Sequence, residues 1–162
     1  ANNTYRSEFL YDNLMIQSNI INASFKKGIR DLIFLGSSCV YPNTLSRPIK
    51  EIDLLSNRLE PTNEPYAVAK ISGIKLCENY SKQYNLNYKT LMPCNLFGIN
   101  DNFDLNNSHF LPGIMHKIYL AKKNNEKKVV LFGTGQVKRE LMYVDDLADA
   151  CVFFLKKKQE KI

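Results

Sequence analysis

The stretch DLIFLGSS, residues 31–38, is a short apolar run closed by Gly36 and two serines. An apolar run of this length that ends in small polar residues reads as a buried parallel strand whose carboxyl end meets solvent. In open α/β sheets ligands bind outside the carboxyl ends of the strands, so Ser37, Ser38 and Cys39 are placed for contact with one. Upstream, Phe9, Leu10, Leu14, Ile20, Ile21 and Phe25 recur at helical spacing between Ser7 and Lys27, and Gly28 follows as a terminator. Downstream, a polar, proline-bearing connection runs from Tyr41 to Glu64, and loops of that length within a compact domain are usually functional or disordered. Pro65 then opens a second helix, with Val68, Ile71, Ile74 and Leu76 in approximate register. The pattern continues with a strand at Tyr88–Met92, a Gly/Asn/Asp-rich loop through Asn102, a helix near Leu111–Lys123, a strand at Val129–Phe132 and a strand-helix pair from Glu140 to Lys157. Helices alternating with short apolar strands predict a parallel α/β sheet.

Composition narrows the class. The 162 residues, 44% of them hydrophobic, suffice for one ordinary packed core. No run of about 18 apolar residues occurs, so no membrane-spanning helix is expected. The chain opens on Ala1 with no Met before Met15 and no signal-peptide pattern, so this is not expected to be a natural start, and a cytoplasmic location is expected. The four cysteines, Cys39, Cys77, Cys94 and Cys151, form no CxxC pair, so neither a metal site nor a redox motif is expected. The net charge of +6 lies largely in lysine clusters at 26–27, 122–123, 127–128 and 156–158. These read as solvated helix ends that offset the helix dipole, and neither a nucleic-acid nor a membrane partner is expected from them. No G-x-G-x-x-G occurs, and Gly133-Thr134-Gly135 reads as a tight turn after a strand.

Tyr66 and Lys70 stand four apart on the second helix, so both project from one face. A phenol ionises near pH 10, and an adjacent ammonium is expected to favour the phenolate and fit Tyr66 for acid-base work. A hydroxyl at the end of DLIFLGSS, pointed at the same spot, would complete a Ser-Tyr-Lys set like that of the short-chain dehydrogenases and reductases.

Five segments extend the likeness over nearly the whole chain: LGSSCVYP (35–42), LEPTNEPYAVAKISGIKLCE (59–78), MPCNLFGINDNF (92–103), NSHFLPG (107–113) and RELMYVDDLADA (139–150). In order and spacing they resemble the GDP-L-fucose synthase family of extended short-chain reductases. RExxYVDD is shared by many such enzymes, whereas the Cys after the double serine, the TNEPYA lead-in and the NSH triplet are more particular. The resemblance implies an incomplete Rossmann-like doubly wound parallel sheet, with the NADP-binding domain over residues 1–107 and the start of a smaller substrate-binding region over 108–162. It implies a reductase triad of Ser37, Tyr66 and Lys70 and an acid-base pair of Cys39 and His109. NADPH would be held by Leu35, Gly36, Ser37, Ser38, Tyr66, Lys70, Pro93, Cys94, Asn95, Leu96 and His109. A GDP-sugar would meet Asn95, Lys117, Phe132 and Arg139, with the GDP group near Phe110 to Lys117. Lys117 stands where Arg is expected and Phe132 where Trp is common; Lys meets phosphate as a point charge without a bidentate fork. The implied reaction is 3,5-epimerisation and 4-reduction of GDP-4-keto-6-deoxy-D-mannose in a homodimeric enzyme. The competing readings are another nucleotide-sugar 4-epimerase or dehydratase, against which Cys39 and His109 speak, and a noncatalytic NADP-fold binding module, against which the triad speaks. Cys77, Cys94 and Cys151 are read as structural and His116 as a surface residue.

Overall fold

The computed structural model describes residues 4–44 and 47–157; Ala1 and Lys158 of the last lysine cluster lie outside them. The first helix, α1, spans Arg6–Lys26. Gly28 ends it at φ +73, where the Ile29 N–H reaches the Ser24 carbonyl at 3.0 Å and the Gly28 N–H that of Phe25 at 2.9 Å. This is the Schellman arrangement that a left-handed residue makes possible. Strand β1, Asp31–Leu35, follows and pairs in parallel with β2, Asn87–Leu91, from Asp31 opposite Asn87 to Leu35 opposite Leu91. Between them runs α2, Glu64–Tyr84, the crossover that parallel pairing requires. Pairing persists past the strand ends, through Gly36 N–H to the Leu91 carbonyl at 2.8 Å and Ser38 N–H to that of Pro93 at 3.1 Å.

Helices α1 and α2 pack through small side chains. Ala67, Ala69, Ile71, Gly73, Ile74 and Cys77 form the buried face of α2, whereas Val68, expected in that face, is exposed. On α1 only Gln17 and Ile21 are fully buried, and the Gln17 amide donates to the Ala69 carbonyl. Two apolar clusters result: Ile21, Cys77, Leu86 and Tyr88 form one, and Val40, Ile71 and Ile74 the other, with Phe34 of β1 packed against both. Burying side chains of this size is worth about 1.5–3 kcal/mol each.

Within the long connection after β1, the stretch from Arg47 to Asp53 is held by its own side chains. Arg47 grips Asp53 with two hydrogen bonds of 2.8 and 2.6 Å, and the Lys50 N–H donates to the same carboxylate at 2.8 Å. Asp53 is buried, and the guanidinium holds its carboxyl below the usual carboxylate range.

By packing, the chain forms one unit up to Pro93 together with the part from Asp149 onward, and a second from Cys94 to Ala148. The second contains a short parallel pair, β3 (Asn95–Phe97) with β4 (Leu141–Tyr143), and helix α3, Phe110–Lys123. Strand β3 falls within what the sequence presents as loop, because three residues are too few to show a period. The expected strand at Val129–Phe132 is not one: Val130 is 80% and Phe132 94% exposed, and no described strand offers these residues a ladder. Gly133 and Gly135 both have positive φ, but the segment forms bends with no strand before it, so the expected turn after a strand is not found. The last helix, α4, spans Val144–Lys156, and in the first unit Lys89 Nζ donates to the Phe154 carbonyl at its end at 2.6 Å. Among the described residues no helix is long and apolar enough to cross a membrane.

Candidate active site

The carboxyl ends of β1 and β2 converge where the apolar strand gives way to Gly36 and Ser37. Space at Gly36 is tight, since a Cβ would stand 3.3 Å from both the Ile74 side chain and the Leu91 carbonyl. Ser37 keeps extended backbone and caps a single 3-10 turn, Ser38–Val40, its Oγ accepting the Cys39 N–H at 3.3 Å. The same Oγ donates to Cys39 Sγ at 3.1 Å. Tyr66, one residue into α2 from Pro65, lies near enough to both residues for the charge of Cys39 to raise its phenol and the Ser37 hydroxyl to lower it. Ser37, Cys39 and Tyr66 thus form one connected group, each half-buried.

Lys70 lies one turn further along α2. Its ammonium donates to the Leu35 carbonyl at 3.0 Å and sits 5.1 Å from the centre of the Phe34 ring and 5.7 Å from that of Tyr66. The spacing predicts Tyr66 and Lys70 on one face, and they are. The expected effect on Tyr66 is not found. Burial first, and then the charge of Cys39, push the Tyr66 phenol above its ordinary value, against a smaller opposing effect of the Ser37 hydrogen bond. Burial also pushes Lys70 down. The physical reason is that the ammonium is engaged by the Leu35 carbonyl rather than by the phenol oxygen. Burial and the Cys39 charge both favour the neutral phenol over the phenolate. Phe34, which sequence reasoning did not single out, supplies the aromatic face beneath Lys70; an aromatic at the strand position before Leu35 is the signal that would have found it.

The remaining candidates belong to the second unit. His109 caps α3, is exposed, and makes no side-chain capping bond. The Asn95 side chain donates to the Glu140 carbonyl at 3.0 Å. Lys117 and Phe132 come together, Lys117 Nζ lying 4.5 Å from the Phe132 ring centre, and Arg139 is exposed. His116 is not the plain surface residue expected: half-buried, its Nδ1 meets the Phe103 carbonyl at 2.5 Å and ties the preceding loop to α3. Because a carbonyl only accepts, that nitrogen carries the proton. Cys77 is fully buried and its thiol is pushed up to about 12, in keeping with an inert core position; Cys94 and Cys151 are half-buried free thiols.

A serine, a tyrosine and a lysine at the carboxyl edge of a parallel βαβ unit define a class, and comparison with known proteins agrees. The chain belongs to the NAD dependent epimerase/dehydratase family, whose model matches residues 1–162. Within that family it is 49% identical over 152 residues to the GDP-L-fucose synthase of Escherichia coli, covering 94% of this chain and 47% of that protein. It is 52% identical over 155 residues to GDP-L-fucose synthase 1 of Arabidopsis thaliana, covering 96% and 48%. Among solved structures it is similar to a GDP-mannoheptose C4 reductase from Campylobacter jejuni with NADP bound, with a TM-score of 0.86 at 35% identity, covering 94% of this chain and 54% of that one. A GDP-L-fucose synthetase from Naegleria fowleri bound to NADP gives a TM-score of 0.83 at 31% identity, covering 94% and 50%. The chain spans about half the length of the curated relatives it matches.

Proposed function

We propose that the protein is an NADPH-dependent epimerase and reductase that converts GDP-4-keto-6-deoxy-D-mannose to GDP-L-fucose. The observation that carries this reading is the gathering of Ser37, Cys39, Tyr66 and Lys70 at one strand edge. A plain reductase needs the serine, tyrosine and lysine; the thiol hydrogen-bonded into the same group is what an added epimerisation calls for. The likeness to GDP-L-fucose synthases supports the same conclusion.

The substrate's C3 and C5 hydrogens are acidic because both carbons flank the C4 carbonyl. Removing a proton at either carbon leaves charge on O4, and positioned donors stabilise such an oxyanion. Tyr66 and Ser37 present hydroxyls suited to that oxygen. Resemblance to the family assigns the proton exchange to Cys39 and His109, one taking a proton and the other returning one to the opposite face, which inverts each centre.

The strand edge fits a nicotinamide cofactor. Lys70 spends one of its three N–H donors on Leu35 and can offer another to a ribose hydroxyl. Leu35 to Ser38 and Pro93 to Leu96 would form its walls. NADPH, when bound, supplies the hydride that reduces C4. Tyr66, kept protonated by its burial, then gives its proton to O4. Lys117, Phe132 and Arg139 are assigned to the GDP-sugar; the Lys117–Phe132 pair offers a cation and a flat apolar face together. We further assign residues 1–107 to a cofactor domain and 108–162 to the start of a substrate region, with cytoplasmic location and a homodimeric state. The test is to incubate the full-length gene product with GDP-4-keto-6-deoxy-D-mannose and NADPH. The expected product is GDP-L-fucose; NADPH oxidation yielding only a mannose-series sugar would reduce the protein to a plain 4-reductase.

A further inference from the structure

The Ser37 hydroxyl has more claims on it than a triad serine needs. A hydroxyl offers one O–H and two lone pairs. In this structure the Oγ accepts the Cys39 N–H at 3.3 Å and spends its only proton on Cys39 Sγ at 3.1 Å. Its one proton is therefore taken. To hydrogen-bond a substrate oxygen, Ser37 must let go of the sulfur. A thiolate is a strong claimant on that proton, because hydrogen bonds to an ionised partner are about twice as strong as neutral ones. A neutral thiol is a weak one.

We propose that Ser37 is a two-position donor, its O–H held on the Cys39 sulfur while that sulfur is ionised and released to the substrate carbonyl oxygen once the sulfur carries a proton. The inference rests on the epimerase-reductase reading and adds a regulatory link to it. When the sulfur takes a proton from a carbon beside the carbonyl, negative charge leaves the sulfur and appears on O4, and the Ser37 proton follows it by rotating about its Cβ–Oγ bond. No bond of Ser37 is broken. The same link makes reduction conditional on a protonated thiol, since an ionised Cys39 withholds one of the two hydroxyls that face O4. Among the described residues, the titratable side chains near this turn include Tyr66 and Lys70 of α2 and Tyr41 two residues beyond, with Glu51 and Asp53 acting on Tyr41. Of these, Tyr66 is charge-coupled to the sulfur.

Two measurements on the full-length protein test this. The first, without substrate, is the rate of iodoacetamide alkylation at Cys39, resolved from Cys77, Cys94 and Cys151 by peptide mass spectrometry. Loss of a hydrogen bond to an ionised partner lowers the thiolate fraction by roughly tenfold, and the more basic sulfur regains about threefold in nucleophilicity. Ser37→Ala should therefore slow alkylation roughly threefold, whereas Ser37→Thr, which keeps the hydroxyl, should restore it. An unchanged rate in Ser37→Ala overturns the proposal. The second is the pH profile of hydride transfer to an already epimerised ketone. In the wild-type protein the rate should fall with rising pH as Cys39 ionises and withholds the Ser37 proton, and in Cys39→Ala that fall should be absent, leaving only the one that belongs to the raised Tyr66 phenol. Relative to its own rate at pH 7, the variant should retain several-fold more activity in the alkaline range than the wild-type protein, the loss of one charge-assisted donor being worth roughly a factor of ten at most. Superimposable profiles overturn the gating. No turnover of the ketone by the wild-type protein would defeat the functional reading and the gating with it, while the alkylation result would still report the Ser37–Cys39 bond by itself.

Discussion

Tyr66 and Cys39 divide the proposed chemistry between them, and each can be removed with little change of shape. Tyr66→Phe deletes the hydroxyl that gives O4 its proton and should lower the rate of reduction by roughly a hundred- to ten-thousand-fold while thermal unfolding stays near wild type, since positioned acid-base groups contribute that much. Steady-state NADPH oxidation near the wild-type rate would make Tyr66 a packing residue. Cys39→Ser should slow deuterium incorporation at C3 and C5 much more than hydride transfer to an already epimerised ketone, because a serine hydroxyl ionises far less readily than a thiol. His109→Asn should impair inversion likewise, and normal deuterium uptake by both variants would take them out of the mechanism. At this scale the sequence displays residue types and spacings well. Tyr66 and Lys70 share a helix face as four-residue spacing demands. The partner of Lys70 was not legible, because the Leu35 carbonyl reaches it only once β1 lies against α2. The Ser37–Cys39 contact is local, and a serine capping a one-turn helix two residues before a cysteine is a pattern a sequence can display.

Helix α2 depends on what it does not carry. A Cβ on Gly73 would stand 2.5 Å from Phe34 Cζ and 2.9 Å from Gln17 Cδ. Gly73→Ala gains up to about 1 kcal/mol of helix propensity, but overpacking costs about 1–3 kcal/mol and moves the ring beneath Lys70. The variant should therefore melt below wild type in calorimetry; a higher melting temperature would show that Phe34 is free to yield. On the outer face, Glu78 lies between Lys75 at 2.8 Å and Lys82 at 2.6 Å, and these pairs lower its carboxyl to about 2 from an ordinary value of 4.5. A depressed carboxylate contributes stability above its unfolded value, lost as pH falls from about 4.5 through about 2. With Glu78 38% exposed the gain is under about 1 kcal/mol, so Glu78→Gln should flatten acid unfolding only slightly in that window. Elements with long periods or clear caps, α1, α2 and α3, were readable within a residue or so. The error at Val129–Phe132 came from treating apolar, β-branched residues as sufficient for a strand when a strand also needs a neighbour.

At the scale of the whole molecule, the parallel βαβ arrangement and the family followed from the alternation of elements and from the particular segments around Ser37, Tyr66 and His109. What sequence could not supply is the packing of the chain into units, which depends on contacts between distant residues. None of the 162 residues forms a G-x-G-x-x-G loop, and pyrophosphate binding at a helix N-terminus normally relies on one. Calorimetry should therefore find no appreciable NADPH binding to these 162 residues alone and clear binding to the full-length protein; micromolar affinity in the short form would show the loop to be dispensable. The central claim, that one cluster of hydroxyls and a thiol serves both inversion and reduction, is tested most directly by NMR of the product. The full-length protein is incubated with GDP-4-keto-6-deoxy-D-mannose and NADPH in deuterium oxide. The account predicts GDP-L-fucose carrying deuterium at both C3 and C5. A reduced sugar with protium at those carbons and the configuration of the starting series would contradict it.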